Sequence, residues 1–288
     1  MSATIPAYHR PSTVETACEL LSDADRAVIV AGGQSLSLSV DQRPTPDAFV
    51  DITRIADLAE IEHTDGVLTV GATVTHKKIE TSPVVVDAVP ALADTASQIA
   101  DVQIRNAGTI GGTTAFRYHT ANYPPVLVAA GAEIAATTAT GEKTCSAEAY
   151  FTRPADHQLE QTEIITAIRV PETGSNEGIA YREFSYPGHT RALVNVASQV
   201  QLAEGRCTDA TIVVGSVGDH PQLVVDAATE VIGAERSTDA ISRTARRASE
   251  AVVVNPQAVS TSYLREMVQS LVEETLHDAW NATGDSDE

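Results

Sequence analysis

Lysine is almost missing from this chain. It stands only at Lys77, Lys78 and Lys143, and all 19 basic residues together face 39 acidic ones, a formal net charge of -20. A nucleic-acid binder needs a basic footprint and an anionic membrane attracts a polybasic face; neither is present here. Cysteine is scarce as well. Cys18, Cys145 and Cys207 lie far apart with no C-x-x-C pair, and the eight histidines show no H-x-x-x-H spacing. A structural zinc or an iron–sulfur cluster within this chain is therefore not expected. No apolar run approaches the roughly 20 residues of a membrane-spanning helix. The opening, MSATIPAYHRPSTVE, lacks a basic region followed by an apolar core, so no signal peptide is expected and the expected compartment is the cytoplasm.

What is present is a 43% hydrophobic chain of 288 residues, enough for two or three packed subdomains. The acid is spread along it. This has two readings: an ordinary acidic enzyme or, the favoured one, a protein of a high-salt cytoplasm, where screening removes the self-repulsion.

Local signals describe an α+β protein. Ser12 and Glu15 have capping-box spacing for a helix to Leu21. Short apolar strands are expected at Ala27 to Ala31, Phe49 to Ile52 and Val67 to Ala72. Thr75 can cap a short helix and Pro90 can start another. Asp101 to Thr114 reads as irregular, and Tyr123 to Ala130 as a helix. Glu133 to Thr138 and Glu142 to Cys145 form a hairpin around Thr140-Gly141, and Glu163 to Val170 a strand ending at Pro171. The polar run Glu172 to Gly178 is the main domain boundary. Beyond it, Val194, Val196, Val200 and Leu202 alternate with Asn195, Gln199 and Gln201, which predicts an antiparallel sheet with one wet face. Two amphipathic helices follow, the first capped by Ser237, and the acidic tail from Asn281 is expected to fray.

Two glycine-containing loops carry the candidate chemistry: Ala31-Gly32-Gly33-Gln34-Ser35-Leu36 and Arg105-Asn106-Ala107-Gly108-Thr109-Ile110-Gly111-Gly112-Thr113. Glycine allows consecutive N–H groups to converge on an anion and a ligand to approach the main chain. A single Gly-Gly is usually a turn, and neither loop fits G-x-G-x-x-G or a P-loop. Taken alone, the residues support two candidate anion nests and nothing finer.

The pair, in this order and roughly eighty residues apart, resembles the FAD-binding medium subunit of the molybdenum hydroxylases, the group of carbon monoxide dehydrogenase, xanthine dehydrogenase and aldehyde oxidoreductases. Its AGG-x-SL loop corresponds to Ala31–Leu36 and its R-N-x-GTIGG loop to Arg105–Gly112. A D-I segment (Asp51-Ile52) and a GA-x-x-x-H segment (Gly71, Ala72, His76) lie between them. The resemblance implies a two-subdomain FAD-binding fold of the PCMH type over residues 1–172, divided near residue 56. A small C-terminal domain of antiparallel sheet plus helices over 178–280 and an acidic tail over 281–288 would follow. It implies that Gly32, Gly33, Gln34 and Ser35 contact the FAD pyrophosphate, that Thr109, Ile110, Gly111, Gly112 and Thr113 form a second cradle, and that Ala31, Leu36 and Gly108 are further cofactor-binding residues. Asn122 takes the place of an aspartate that bonds a flavin-side hydroxyl, and Ile164 or, preferably, Ile165 packs near the cofactor.

Such a subunit holds no catalytic acid, base or nucleophile of its own. It works beside a molybdenum-cofactor large subunit and a 2Fe–2S small subunit, in a heterotrimer or a doubled one. The chain departs from the family pattern at Thr113 (usually Asn), Asn122 (usually Asp) and Glu183 (usually Lys), and in Ser185-Tyr186-Pro187-Gly188-His189, where an arginine-rich stretch is usual. These departures motivate one alternative, an assembly subunit that has lost FAD. A free-standing flavin oxidoreductase is the other.

The high-salt reading predicts a melting temperature that rises as salt goes from about 0.1 M to about 1 M and the Debye length shrinks from about 10 Å to about 3 Å. A salt series of thermal melts checks it; a flat response assigns the chain to ordinary acidic enzymes.

Overall fold

The computed structural model describes residues 6–39, 45–138, 141–153, 159–160, 162–186, 191–255 and 259–284. The first unit contains β1 (Ala7–His9), α1 (Val14–Asp23), β2 (Ala27–Val30), α2 (Gln34–Ser39) and β3 (Ala48–Asp51). Its strands pair in parallel in the order β1-β3-β2. The cap of α1 is Thr13, not Ser12: the Thr13 hydroxyl accepts from the Thr16 N–H, so the helix starts one residue later than a Ser12–Glu15 box would place it. At the carboxyl edge of the sheet Asp51 is buried and accepts from Tyr8 OH (2.6 Å), Arg10 Nε (2.9 Å), and both the N–H and hydroxyl of Thr53 (2.9 and 2.6 Å). Burial pushes its carboxyl up, but the Thr53 and Tyr8 bonds and Arg10 outweigh it and hold the group below the usual range.

The second unit opens with a 3-10 turn (Ala56–Ala59), then β4 (Ile61–Thr64) and β5 (Val67–Gly71). Six helices follow: α3 (His76–Thr81), α4 (Pro83–Ala88), α5 (Pro90–Gln98), α6 (Val102–Ala107), α7 (Ile110–Phe116) and α8 (Tyr123–Ala129). It closes with β6 (Glu133–Thr138), β7 (Gly141–Ser146), α9 (Ala147–Thr152) and β8 (Ile164–Pro171). The five strands form an antiparallel sheet in the order β4-β5-β8-β6-β7. The hairpin strands pair as their spacing predicts, although Thr140 at the turn lies outside the described residues.

The stretch expected to be irregular is instead two short helices. Asp101 caps α6 by accepting from Ile104 N (2.9 Å), and Thr109 caps α7 by accepting from Gly112 N (3.1 Å). Six- and seven-residue helices hold too few turns to show a period, and the two glycines of α7 argue against helix on propensity. Caps and tertiary contacts decide the matter.

The third unit contains β9 (Glu177–Phe184), β10 (Val194–Ala203), β11 (Arg206–Gly215), β12 (Gln222–Leu223), α10 (Val225–Ala228), α11 (Thr238–Ala251) and α12 (Thr261–Ala282). Its antiparallel sheet runs β12-β11-β10-β9. Val194, Val196, Val200 and Leu202 share a core with residues of α11 and α12. The expected wet face is wet only in part. Asn195 and Ala197 are fully buried because α8 of the second unit lies against β10, and Ala197, Tyr181 and Val213 join the second unit's core. Asn195 Nδ2 donates to Ala121 O (3.0 Å) across this junction.

The C-terminal helix does not fray where the acidic composition predicts. It continues to Ala282, and Gly284 N donates to Ser175 O (2.7 Å); residues 285–288 lie outside the described ones. Against α12, a Cβ on Gly178 would stand 1.8 Å from Ala279 O. Gly178→Ala is therefore expected to lower unfolding stability by about 1–3 kcal/mol through overpacking, measured by denaturant titration in high salt.

Candidate functional site

Loop one sits at the carboxyl end of a parallel strand. β2 ends at Val30, Ala31-Gly32-Gly33 makes the turn, and α2 begins at Gln34. Gly33 has φ +72°, with open space where a Cβ would stand, so the backbone twist is what requires glycine there. The Gln34 side chain closes its own loop, Nε2 donating to Gly32 O (3.0 Å). Among the described residues, the N–H groups of Gly32, Gly33 and Ser35 donate to no protein acceptor. Three donors in four residues are left for an outside acceptor or water.

Loop two is spent differently. Gly108 N donates to Ile104 O, Ile110 N to Val74 O, Gly111 N to Ala72 O, Gly112 N to the Thr109 hydroxyl, and Thr113 N to Thr109 O. The expectation of two equivalent N–H nests thus divides. Loop one leaves three N–H groups unspent, while five of the six N–H groups from Gly108 to Thr113 in loop two are taken by acceptors within the chain, that of Thr109 being the exception among the described residues. Ile110 and Gly111 are buried beneath the loop, Thr109 is nearly so, and Gly112 and Thr113 are half-buried at its surface.

The two loops touch through their backbones. A Cβ on Gly32 would stand 1.9 Å from Ala107 O and 3.0 Å from Gly108 Cα. Chain segments about seventy-five residues apart are thereby brought to one place, with Ala31 to Leu36 on one side and Gly108 to Thr113 on the other.

Beneath loop two lies a buried histidine. His76 is 2% exposed; its Nδ1 is 3.2 Å from Tyr123 OH, its Nε2 is 3.4 Å from Thr113 Oγ1, and its N–H donates to Gly108 O. Burial, and then the charge of Arg105, bring the imidazole pKa down to about 4, so it is neutral at pH 7. Arg105 itself is structural: Nε bonds Glu80 (3.0 Å) and Nη1 donates to the carbonyls of Ile99 and Ala100.

Two further expected residues lie on other elements. Asn122 precedes α8 and its amide donates to Glu183 Oε2, which also accepts from Tyr181 OH (2.8 Å). Burial raises the Glu183 carboxyl pKa against the opposing pull of Tyr181. The departures at 122 and 183 are therefore one contact: an amide on a carboxylate, linking the second and third units. Ile165 is buried in the core of the second unit, whereas neighbouring Ile164 belongs to the core of the first. Tyr123, Tyr181 and Asn195 were not legible as site neighbours; buried polar residues in otherwise apolar elements were the one available signal.

Comparison with known proteins identifies the family. Residues 2–173 match the family described as the FAD binding domain in molybdopterin dehydrogenase, and residues 179–279 match the CO dehydrogenase flavoprotein C-terminal domain. The nicotine 6-hydroxylase medium subunit of Paenarthrobacter nicotinovorans is 32% identical over 278 residues, covering 94% of this chain and 96% of the relative. Among solved structures, quinoline 2-oxidoreductase from Pseudomonas putida 86 superposes with a TM-score of 0.90 at 25% identity, covering 99% of this chain and 100% of its own. The carbon monoxide dehydrogenase of Hydrogenophaga pseudoflava also gives 0.90, at 26% identity, covering 98% and 100%.

The depressed pKa of His76 has a consequence for acid stability. Its folded pKa of about 4 lies below the 6.5 of an unperturbed imidazole, so between these values the unfolded chain binds the extra proton. Stability from this group is complete above pH 6.5 and is lost as pH falls toward 4, by roughly 3 kcal/mol in all. Denaturant titrations at several pH values should show a shallower acid slope in His76→Gln than in the parent chain.

Proposed function

Because the chain belongs to the FAD-binding medium subunits of the molybdenum hydroxylases, we propose that it is the electron-transfer component of such an enzyme, taking electrons from an iron–sulfur subunit and passing them to a final acceptor. The observation that carries this reading is the backbone contact between two glycine loops, one of which leaves the N–H groups of Gly32, Gly33 and Ser35 unspent. Those donors fit a pyrophosphate. In a chain with three lysines they also supply what side-chain cations do elsewhere.

In this assignment Ala31, Gly32, Gly33, Gln34, Ser35 and Leu36 hold the pyrophosphate. Gly108 to Thr113 form the facing wall, and Asn122 and Ile165 lie toward the flavin side. Bound FAD supplies storage for two electrons that can arrive singly. The protein binds, orients and excludes water, and needs no general base. The partners are a molybdenum-cofactor large subunit, where substrate is chosen, and a 2Fe–2S small subunit, in a heterotrimer or its dimer. The proposed domains are residues 1–172, divided near residue 56, and 178–280, and the proposed compartment is a high-salt cytoplasm.

Purified chain in high-salt buffer should show flavin absorption and release one equivalent of FAD on denaturation. Gly32→Ala should lose the cofactor because its Cβ forces the loops apart. A folded, colourless parent chain that takes up no added FAD overturns the assignment, and purification from the native host without a large and a small subunit overturns the partnership.

A further inference from the structure

The His76 contacts fix a direction of hydrogen bonding that ends at the surface of loop two. Tyr123 is completely buried, and burial keeps its phenol protonated by raising its pKa well above the usual value. A buried O–H must donate. Among the described residues its recorded partner is His76 Nδ1, at 3.2 Å. A neutral imidazole that accepts at Nδ1 carries its proton on Nε2. Nε2 faces Thr113 Oγ1 at 3.4 Å, so Thr113 accepts there.

The Thr113 hydroxyl then has one proton left to give, and no protein acceptor takes it among the described residues. The ring has room for this orientation because of the residue beside it. A Cβ at Gly108 would stand 2.7 Å from His76 Nε2, so the absence of a side chain at 108 makes room for the imidazole.

We propose that His76 is a positioning residue which, through Tyr123 on one side and Thr113 on the other, turns the Thr113 hydroxyl into an obligatory donor aimed out of loop two at an acceptor oxygen of the bound FAD. The inference rests on the FAD assignment above and deepens it. It concerns a position where this chain has threonine in place of the family's asparagine, and it predicts that the hydroxyl, not the size of the side chain, carries the binding contribution.

Three measurements test it. Nitrogen-15 NMR of histidine-labelled chain should show His76 protonated at Nε2 and not at Nδ1, with the Nδ1 signal shifting in Tyr123→Phe. FAD titration followed by flavin fluorescence should show Thr113→Val weakened about tenfold, the worth of one lost hydrogen bond, with an unchanged melting temperature, while Thr113→Ser binds like the parent. In a Tyr123→Phe background, where the tautomer is no longer fixed, the Thr113→Val loss should shrink.

ADP as a second probe locates the acceptor. A loss shared by ADP places it on the pyrophosphate, and a loss seen with FAD alone places it on the flavin half; either supports the inference. An Nδ1-protonated His76, or Thr113→Val binding FAD within twofold of the parent, overturns it while leaving the FAD assignment intact. A parent chain that binds no FAD overturns both.

Discussion

Main chain pressed on main chain is the constraint from which the site follows. Gly32 lies so near the Ala107 carbonyl that no side chain fits between them. The same device recurs where Gly111 meets Ala72 and where Gly178 meets Ala279. Side-chain packing tolerates repacking, because rotamers and volumes can trade. A backbone-to-backbone contact has no such slack. The first and second units therefore meet without intervening side chains at the place where a ligand spanning both would sit.

The acidity of the chain shapes how that place can attract an anion. Arg105, the cation within the second loop's motif, is consumed by Glu80 and two carbonyls. The free polarity comes from peptide groups, whose dipoles do not titrate. A site built this way keeps its character across pH, and its neighbours follow the same pattern. Near pH 7 His76 is neutral, and among the described residues Glu183 is held by an amide and a phenol and by no charged partner.

Much of the fold was legible because local chemistry and tertiary structure agree. Thr75 and Ser237 cap the helices that their spacing announces, Pro90 begins α5, and the β6–β7 hairpin has the expected strands. The glycine loops were legible as loops, and their order along the chain carried the family resemblance. What was hidden depended on distant contacts. The buried face of β10 exists because α8 covers it, and no alternation within β10 can report that. Asn122 meets Glu183 across 61 positions of sequence, so two apparently separate departures are a single interaction. The unequal division of N–H donors between the loops arises because α7 is seated on Val74 and Ala72, again a matter of tertiary contact.

The split between Ile164 and Ile165 also governs how the protein is made. The core of the first unit consists of Ala17, Cys18, Leu21, Val50, Ile52, Ile55 and Leu58, plus Ile164 from β8. Everything except that last residue leaves the ribosome roughly a hundred residues earlier. At about 5–20 residues per second, the first glycine loop waits on the order of 5–20 s for the strand that completes its support. Until β8 is added, the N-terminal unit lacks Ile164, the one member of its buried core contributed from beyond residue 58.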